Sequence, residues 1–309
     1  MILVAGGSGV LGTRLHALLA ARGLDVRILS RDPDKARSHV GDQVQVVAGD
    51  VRNPTAVAHA VEGARTVVSA ITGFGLARDV SPRSVDWEGN ANLIRAAKAA
   101  GVEHFVLLSI CQAAPDHPIE LFRMKHRAEE ELRASGLAWT IIRPTAYMET
   151  WLGILGAPLV ESGSTRIFGR GANPINFVSA DDVARFVDLA VADHAMRGAT
   201  IEVGGPANIS MNEMVATFQS LTGARGKVSH VPLPMMRVMS VLMRPINPAM
   251  AGLVQAGVVM DTRDMTFDSS PTRGAYPSIP VTRLDGAIQT VYANRSAAPL
   301  QQRQGHGQA

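Results

Sequence analysis

The sequence predicts an α/β protein built on a doubly wound parallel sheet, completed by a smaller C-terminal region. Three observations carry this reading. Short β-branched runs alternate with amphipathic stretches through the first half of the chain, a glycine-rich turn follows the first run directly, and the rhythm breaks after Pro144. With 309 residues, 46% hydrophobic and 18% charged, the chain can bury a large core. Disorder, collagen-like repeats and a small disulfide-stapled fold are excluded.

The elements follow in order. Ile2–Ala5 is the first strand, and a helix runs from about Val10 to Arg22. Further strands are expected at Asp25–Ser30, Val44–Ala48, Thr66–Ala70, His104–Ser109 and Ala138–Ile142, each followed by a turn or helix signal. Six strands joined by crossover helices imply a parallel sheet. Asp32 before Pro33 and Asn53 before Pro54 place a capping side chain ahead of a proline suited to the first helical position. Beyond Pro144 come glycine breaks from Gly153 to Gly171, a strand at Asn176–Ser179, a helix at Ala180–Ala192 and a strand at Thr200–Val203. Ser210 with Glu213 reads as a capping box. Residues 231–260 hold six of the 13 methionines, a composition suited to an adaptable apolar wall. The expected division is a nucleotide-binding domain over 1–146, completed by about 176–204, a smaller substrate-binding region over 147–175 and 205–296, and a disordered tail over 297–309.

Charge and cysteine content narrow the setting. The net charge of +3 comes from 30 basic and 27 acidic residues interspersed along the chain, so the pI of 9.3 does not imply a nucleic-acid partner. One cysteine, Cys111, has no internal partner, and the first strand begins at once, which leads us to expect a cytoplasmic protein without a leader. No apolar run is long enough to span a bilayer. The nine histidines show no metal-ligand spacing and no nucleophile elbow is present, so no metal and no hydrolase chemistry are expected.

The turn Gly6-Gly7-Ser8-Gly9-Val10-Leu11-Gly12 lies between a strand and a helix. Glycine there removes the Cβ that would block the backbone from a pyrophosphate, and the helix N-terminus offers free N–H groups to the anion. Gly6, Ser8, Gly9, Val10, Leu11 and Gly12 are therefore the expected dinucleotide cradle of a Rossmann domain. The second strand ends in Ser30-Arg31 where an NAD-selective protein often has a carboxylate; a guanidinium suits a 2′-phosphate, which favours NADP over NAD. The plainer reading of Arg31 is a solvated arginine beside Asp32. Asp50 and Val51 after the third strand, and Ala70, Ile71 and Thr72 after the fourth, complete the groove, with Asp50 placed either to accept from the adenine amino group or simply to cap its loop.

Over residues 1–223 the sequence resembles the atypical short-chain dehydrogenases of the NmrA-like and isoflavone-reductase-like branch. The resemblance rests on the glycine turn, Arg31-Asp32-Pro33, Gly49-Asp50, Asn92, Ala100-Gly101-Val102 leading to Phe105-Val106, Ser109, Lys125, Arg143-Pro144 and Val178-Ser179-Ala180-Asp181-Asp182-Val183-Ala184. Typical short-chain dehydrogenases carry a tyrosine four residues before the active-site lysine; here that position is Leu121, so the tyrosine mechanism does not transfer. The resemblance assigns Lys125 to the nicotinamide ribose and to proton transfer, and Ser109 to the substrate carbonyl or the nicotinamide side, the plainer reading of Ser109 being the start of a turn. Lys125 is one of only four lysines in the chain; its plainer alternative is an exposed pair with Glu129. Tyr147, where relatives often have phenylalanine, reads either as a proton donor or as an aromatic wall.

These observations lead us to expect an NADPH-dependent oxidoreductase that passes hydride to a small apolar carbonyl, enone, quinone or aryl ether, as a monomer or homodimer. Two alternatives stay open: a non-catalytic NADP-binding redox sensor, and an assembly or scaffold protein with a structural NADP and the 235–260 stretch as its docking face.

Overall fold

In the computed structural model, which describes residues 1–40, 44–75 and 79–296, strand and helix alternate as the hydrophobic periodicity requires. The order is β1 (Ile2–Ala5), α1 (Val10–Ala21), β2 (Val26–Ser30), α2 (Pro33–Val40), β3 (Gln45–Ala48), α3 (Pro54–Val61), β4 (Thr66–Ser69), α4 (Glu88–Ala99), β5 (His104–Leu108), α5 (Glu120–Ala134) and β6 (Trp139–Pro144). The chain continues through β7 (Ala146–Tyr147), α6 (Met148–Trp151), α7 (Ala157–Glu161), β8 (Ser164–Phe168), β9 (Ile175–Val178), α8 (Ala180–Ala192), β10 (Thr200–Val203), β11 (Asn208–Ile209) and α9 (Met211–Thr222). Last come β12 (Lys227–Val231), α10 (Leu233–Leu242), α11 (Pro248–Thr262), α12 (Ser270–Ala275) and α13 (Leu284–Ser296). The tail expected over 297–309 lies outside the described residues.

The main sheet has seven parallel strands in the order β10-β6-β5-β4-β1-β2-β3. The seventh is β10, which pairs with Ile141–Pro144 of β6. The strand expected at Asn176–Ser179 is β9; β10 already occupies that edge of β6, so β9 pairs instead with the next segment, β7, and with β11 in a separate three-stranded sheet. β8 and β12 form a parallel pair of their own.

Each face of the main sheet is buried, which is why its strands read as unbroken β-branched runs. On one face Leu11, Leu15 and Leu19 of α1 meet Val183, Phe186 and Val187 of α8 over Val4, Val106 and Ile142. On the other, α3, α4 and α5 contribute Val57, Leu93 and Leu132 over Leu3, Val67 and Phe105. A third core joins α6, α7, α9 and α13 around Phe177 and Phe218. The caps form as the residue types dictate. Asn53 accepts from the N–H groups of Thr55 (3.0 Å) and Ala56 (3.2 Å), and Ser210 and Glu213 make both bonds of the capping box. Among the described residues no helix is long and apolar enough to cross a membrane.

Candidate cofactor groove and active site

β1 pairs with β2 on one side and β4 on the other, so chain direction around the sheet reverses at β1, and a crevice opens beyond the carboxyl ends of β1 and β4. The glycine turn fills that crevice. Gly6 has φ +87°, and a Cβ there would lie 2.5 Å from the Ala70 carbonyl oxygen; one on Gly12 would lie 2.3 Å from the Gly6 oxygen. Gly6 needs glycine on conformational and steric grounds, and Gly12, within the helix, on steric grounds alone. Helix α1 then starts at Gly9 with no capping side chain and no acid in its first turn, whereas α3, α8 and α9 are capped by Asn53, Ser179 and Ser210. The N–H groups of Val10, Leu11 and Gly12 have no partner within the helix, Ser8 is partly exposed beside them, and the helix dipole favours an anion there. These residues fit a dinucleotide pyrophosphate.

At the end of β2, the Ser30 hydroxyl donates to the Asp32 carbonyl (2.9 Å) and accepts from the Asp32 N–H (3.2 Å), turning the chain. Arg31 is exposed and makes no hydrogen bond or ion pair to the described protein. Asp32 caps α2 through the Lys35 N–H (3.0 Å). Asp50 is gripped by both edges of the Arg52 guanidinium, Nε at 3.0 Å and Nη2 at 2.6 Å. Hydrogen bonds from Arg52 hold its carboxyl below the usual aspartate value, and the positive charge of Arg31 adds to this. Val51 is fixed from two sides, its carbonyl accepting from Asn92 Nδ2 (2.9 Å) and its side chain abutting Gly89, where a Cβ would lie 2.8 Å from Val51 Cγ2.

Under the groove lies an ion pair that the sequence did not announce. Lys125 is buried, and its Nζ donates to the carbonyls of Ile71 (2.8 Å) and Leu108 (2.9 Å) and sits 3.1 Å from Asp86 Oδ1. Asp86 is fully buried and also accepts from the Gly73 N–H (2.8 Å). Burial pushes its carboxyl up, against the pull of Lys125 and the Gly73 N–H. Two of the three ammonium donors go to these carbonyls, and Asp86 lies within ion-pair distance. Lys125 so placed clasps the carboxyl ends of β4 and β5 and holds Ile71, Thr72 and Gly73 together. The alternative pairing with Glu129 does not form.

The Ser109 hydroxyl donates to Glu129 Oε1, and Glu129 is itself fully buried, held by Arg143 (Nε 2.9 Å, Nη2 2.6 Å) and Arg133 (3.0 Å). In this arrangement the single hydroxyl proton of Ser109 goes to a carboxylate. Cys111 donates to the Arg143 carbonyl (3.0 Å), and burial pushes its thiol up to about 12. The sequence reading missed Asp86, one acid among 27, and misplaced Glu129 on the helix surface, because the strand-to-helix contacts that bury them leave no periodic signature.

Tyr147 is the candidate hydroxyl still free. It packs partly buried at the rim of the α1-side core, and its hydroxyl makes no hydrogen bond to the described protein. Burial, with the Glu149 charge second, pushes its pKa well above the usual phenol range. Leu121, at the position of the usual tyrosine, is buried with Ile119, Phe122, Ala256 and Val259, and Phe74 and Ile110 pack against this cluster. An apolar wall formed by α5 and α11 stands where the typical enzyme has its acid.

Comparison with known proteins agrees with this geometry. The model of a family described as NAD(P)H-binding matches residues 6–194. The NAD(P)H azoreductase of Xenophilus azovorans is 31% identical over 224 residues, covering 72% of this chain and 74% of its own. The photosystem II assembly factor Ycf39 of Synechocystis sp. is 30% identical over 239 residues, 77% of this chain and 72% of its own. The fold also matches the crystal structure of the NADPH-dependent quinone oxidoreductase QOR2 of Escherichia coli complexed with NADPH, with a TM-score of 0.73 over 94% of this chain and all of that one, at 21% identity. The chain therefore belongs to the NAD(P)H-binding family, among the NAD(P)H-dependent oxidoreductases of the atypical short-chain dehydrogenase type.

Proposed function

We propose that the protein is an NADPH-dependent reductase of small apolar, electron-poor acceptors, with quinones, azo compounds and enones as the classes to test first. The observation that carries this is the uncapped start of α1 on a turn whose Gly6 and Gly12 admit no Cβ, since one would collide with the backbone of Ala70 or of Gly6 and Gly7. Arg31, with no protein partner, favours a cofactor bearing a 2′-phosphate. Bound NADPH supplies a hydride. The chain contributes the rest: the Asp86–Lys125 clasp fixes the Ile71–Gly73 floor, and Phe74, Ile110 and Leu121 exclude water from one side. Tyr147 offers a neutral hydroxyl. Because its pKa is raised, it serves better as a hydrogen-bond donor to a developing oxyanion than as a source of the proton, which comes from solvent.

The engagement of Lys125 and Ser109 by other protein groups favours a second reading, in which NADPH is bound without turnover and the protein acts through partners. One experiment separates the two. NADPH and NADH are titrated into the full chain and into Arg31→Ala, then turnover is measured on quinone, azo and enone panels with wild type and Tyr147→Phe. We expect NADPH to bind more tightly than NADH, and Arg31→Ala to lose most of that difference, about tenfold or more in Kd, with little effect on NADH. Tyr147→Phe should lower kcat with NADPH affinity kept. Tight binding with no turnover on any panel would establish the second reading, and tighter NADH binding would refute the role of Arg31.

A further inference from the structure

Helix α10 is apolar over most of its surface, with Arg237 and Ser240 its only polar residues, and such a helix is normally buried. Here its inner side packs on α11, where Met236 is 1% exposed and its methyl lies against Gly257, leaving no room for a Cβ. The outer side is bare. Met235, Val238, Val241 and Leu242, with Ile246 in the following turn, project at helical spacing, and the last three are 70%, 65% and 80% exposed. Exposure that high over successive turns describes a ridge standing clear of the body.

Charge singles out the same segment. Residues 214–260 contain Arg225, Lys227, Arg237 and Arg244 and not one Asp or Glu. The remaining residues hold 26 Lys and Arg against 27 Asp and Glu, so the whole basic excess of the chain resides here. Arg237 and Arg244 flank the ridge, exposed and without a hydrogen bond or ion pair to the described protein. Arg166, on β8 beside β12, is likewise exposed and unpaired. Most other arginines of known placement are paired with acids, as Arg22, Arg52, Arg65, Arg133, Arg143 and Arg273 show.

We infer that α10 docks the protein on an anionic lipid bilayer, its outer apolar side sinking into the acyl boundary and Arg237 and Arg244 resting on the phosphates. An apolar ridge flanked by unpaired arginines matches the depth order of a bilayer, with anionic headgroups above hydrocarbon. A helix of ten residues, about 15 Å long, lies in the interface and does not span it. Methionine and valine on the ridge adapt to a fluid surface without a fixed socket.

The test uses the full chain, co-sedimented with vesicles of phosphatidylcholine alone or of equimolar phosphatidylcholine and phosphatidylglycerol. The expected result is binding to the anionic vesicles that weakens with salt, and little binding to the neutral ones. Val241→Glu with Leu242→Glu should abolish it. Arg237→Gln with Arg244→Gln should weaken it on the order of tenfold or more and flatten the salt dependence. NADPH titration of each variant reports on its fold, and unchanged affinity is expected. The proposal is overturned if wild type ignores both vesicles, if the glutamate variant binds as wild type does, or if light scattering shows a dimer that the glutamate variant dissolves, since the ridge would then face a second copy.

Discussion

Lys125 and Asp86 form a buried pair whose value lies in what happens when one member is removed. Replacing Lys125 by Met leaves a fully buried carboxylate facing two carbonyls. That should cost about 3–5 kcal/mol of stability by denaturant unfolding, and Asp86→Asn in the same chain should restore part of it. A lysine working only on substrate would lower turnover and leave the unfolding midpoint unmoved. Lys125 stood out in the sequence as a rare amine, and its importance was legible. Its role was not, because Asp86 lies 39 residues earlier and nothing in the spacing ties the two. Glu129 shows the same limit: four residues after Lys125 it reads as the partner in a helix-surface pair, yet the two side chains enter the body at different strands, Glu129 toward Arg143 of β6 and Lys125 toward β4 and β5.

At the scale of elements, local chemistry carried most of the information. The main-sheet strands fall within two residues of their expected ends because β-branched runs between glycine and proline breaks are a short-range signal. The capping box at Ser210 is equally local. Ser210→Ala should destabilise α9 by about 1 kcal/mol in thermal unfolding. The Ser210 N–H and hydroxyl hold the Glu213 carboxyl below the usual glutamate value of 4.5. That carboxylate's contribution is present above pH 4.5 and is lost as pH falls through the lower folded-state value, so the gap between wild type and Ser210→Ala should narrow in acid to the part due to the Glu213 N–H bond. The β8–β12 pair escaped the sequence reading: 58 residues separate the two strands, and parallel partners that far apart share no turn.

For the whole molecule, the glycine cradle sits where β1, β4 and α1 converge, so a bound dinucleotide couples to both faces of the sheet. NADPH at a hundredfold excess over its Kd should add about 2.7 kcal/mol to the stability of the native state. Calorimetry should show a single transition moving upward with NADPH concentration, and an unmoved transition would refute a native-state cofactor site. The doubly wound sheet and its switch point were legible because connection rules leave few topologies for alternating strands and helices. Where the returning segments attach was not: only the order of pairing decides that β10 takes the edge of β6 while β9 falls outside it.

The wall around Leu121 bears on what a single substitution there can do. Ala256 and Val259 of α11 close on Leu121, so the space that a phenol ring would need is filled by a helix from a distant part of the chain. Making room for a tyrosine would demand coordinated changes in two elements more than a hundred residues apart, each harmful alone. Leu121→Tyr by itself would overpack this seam before it could supply an acid.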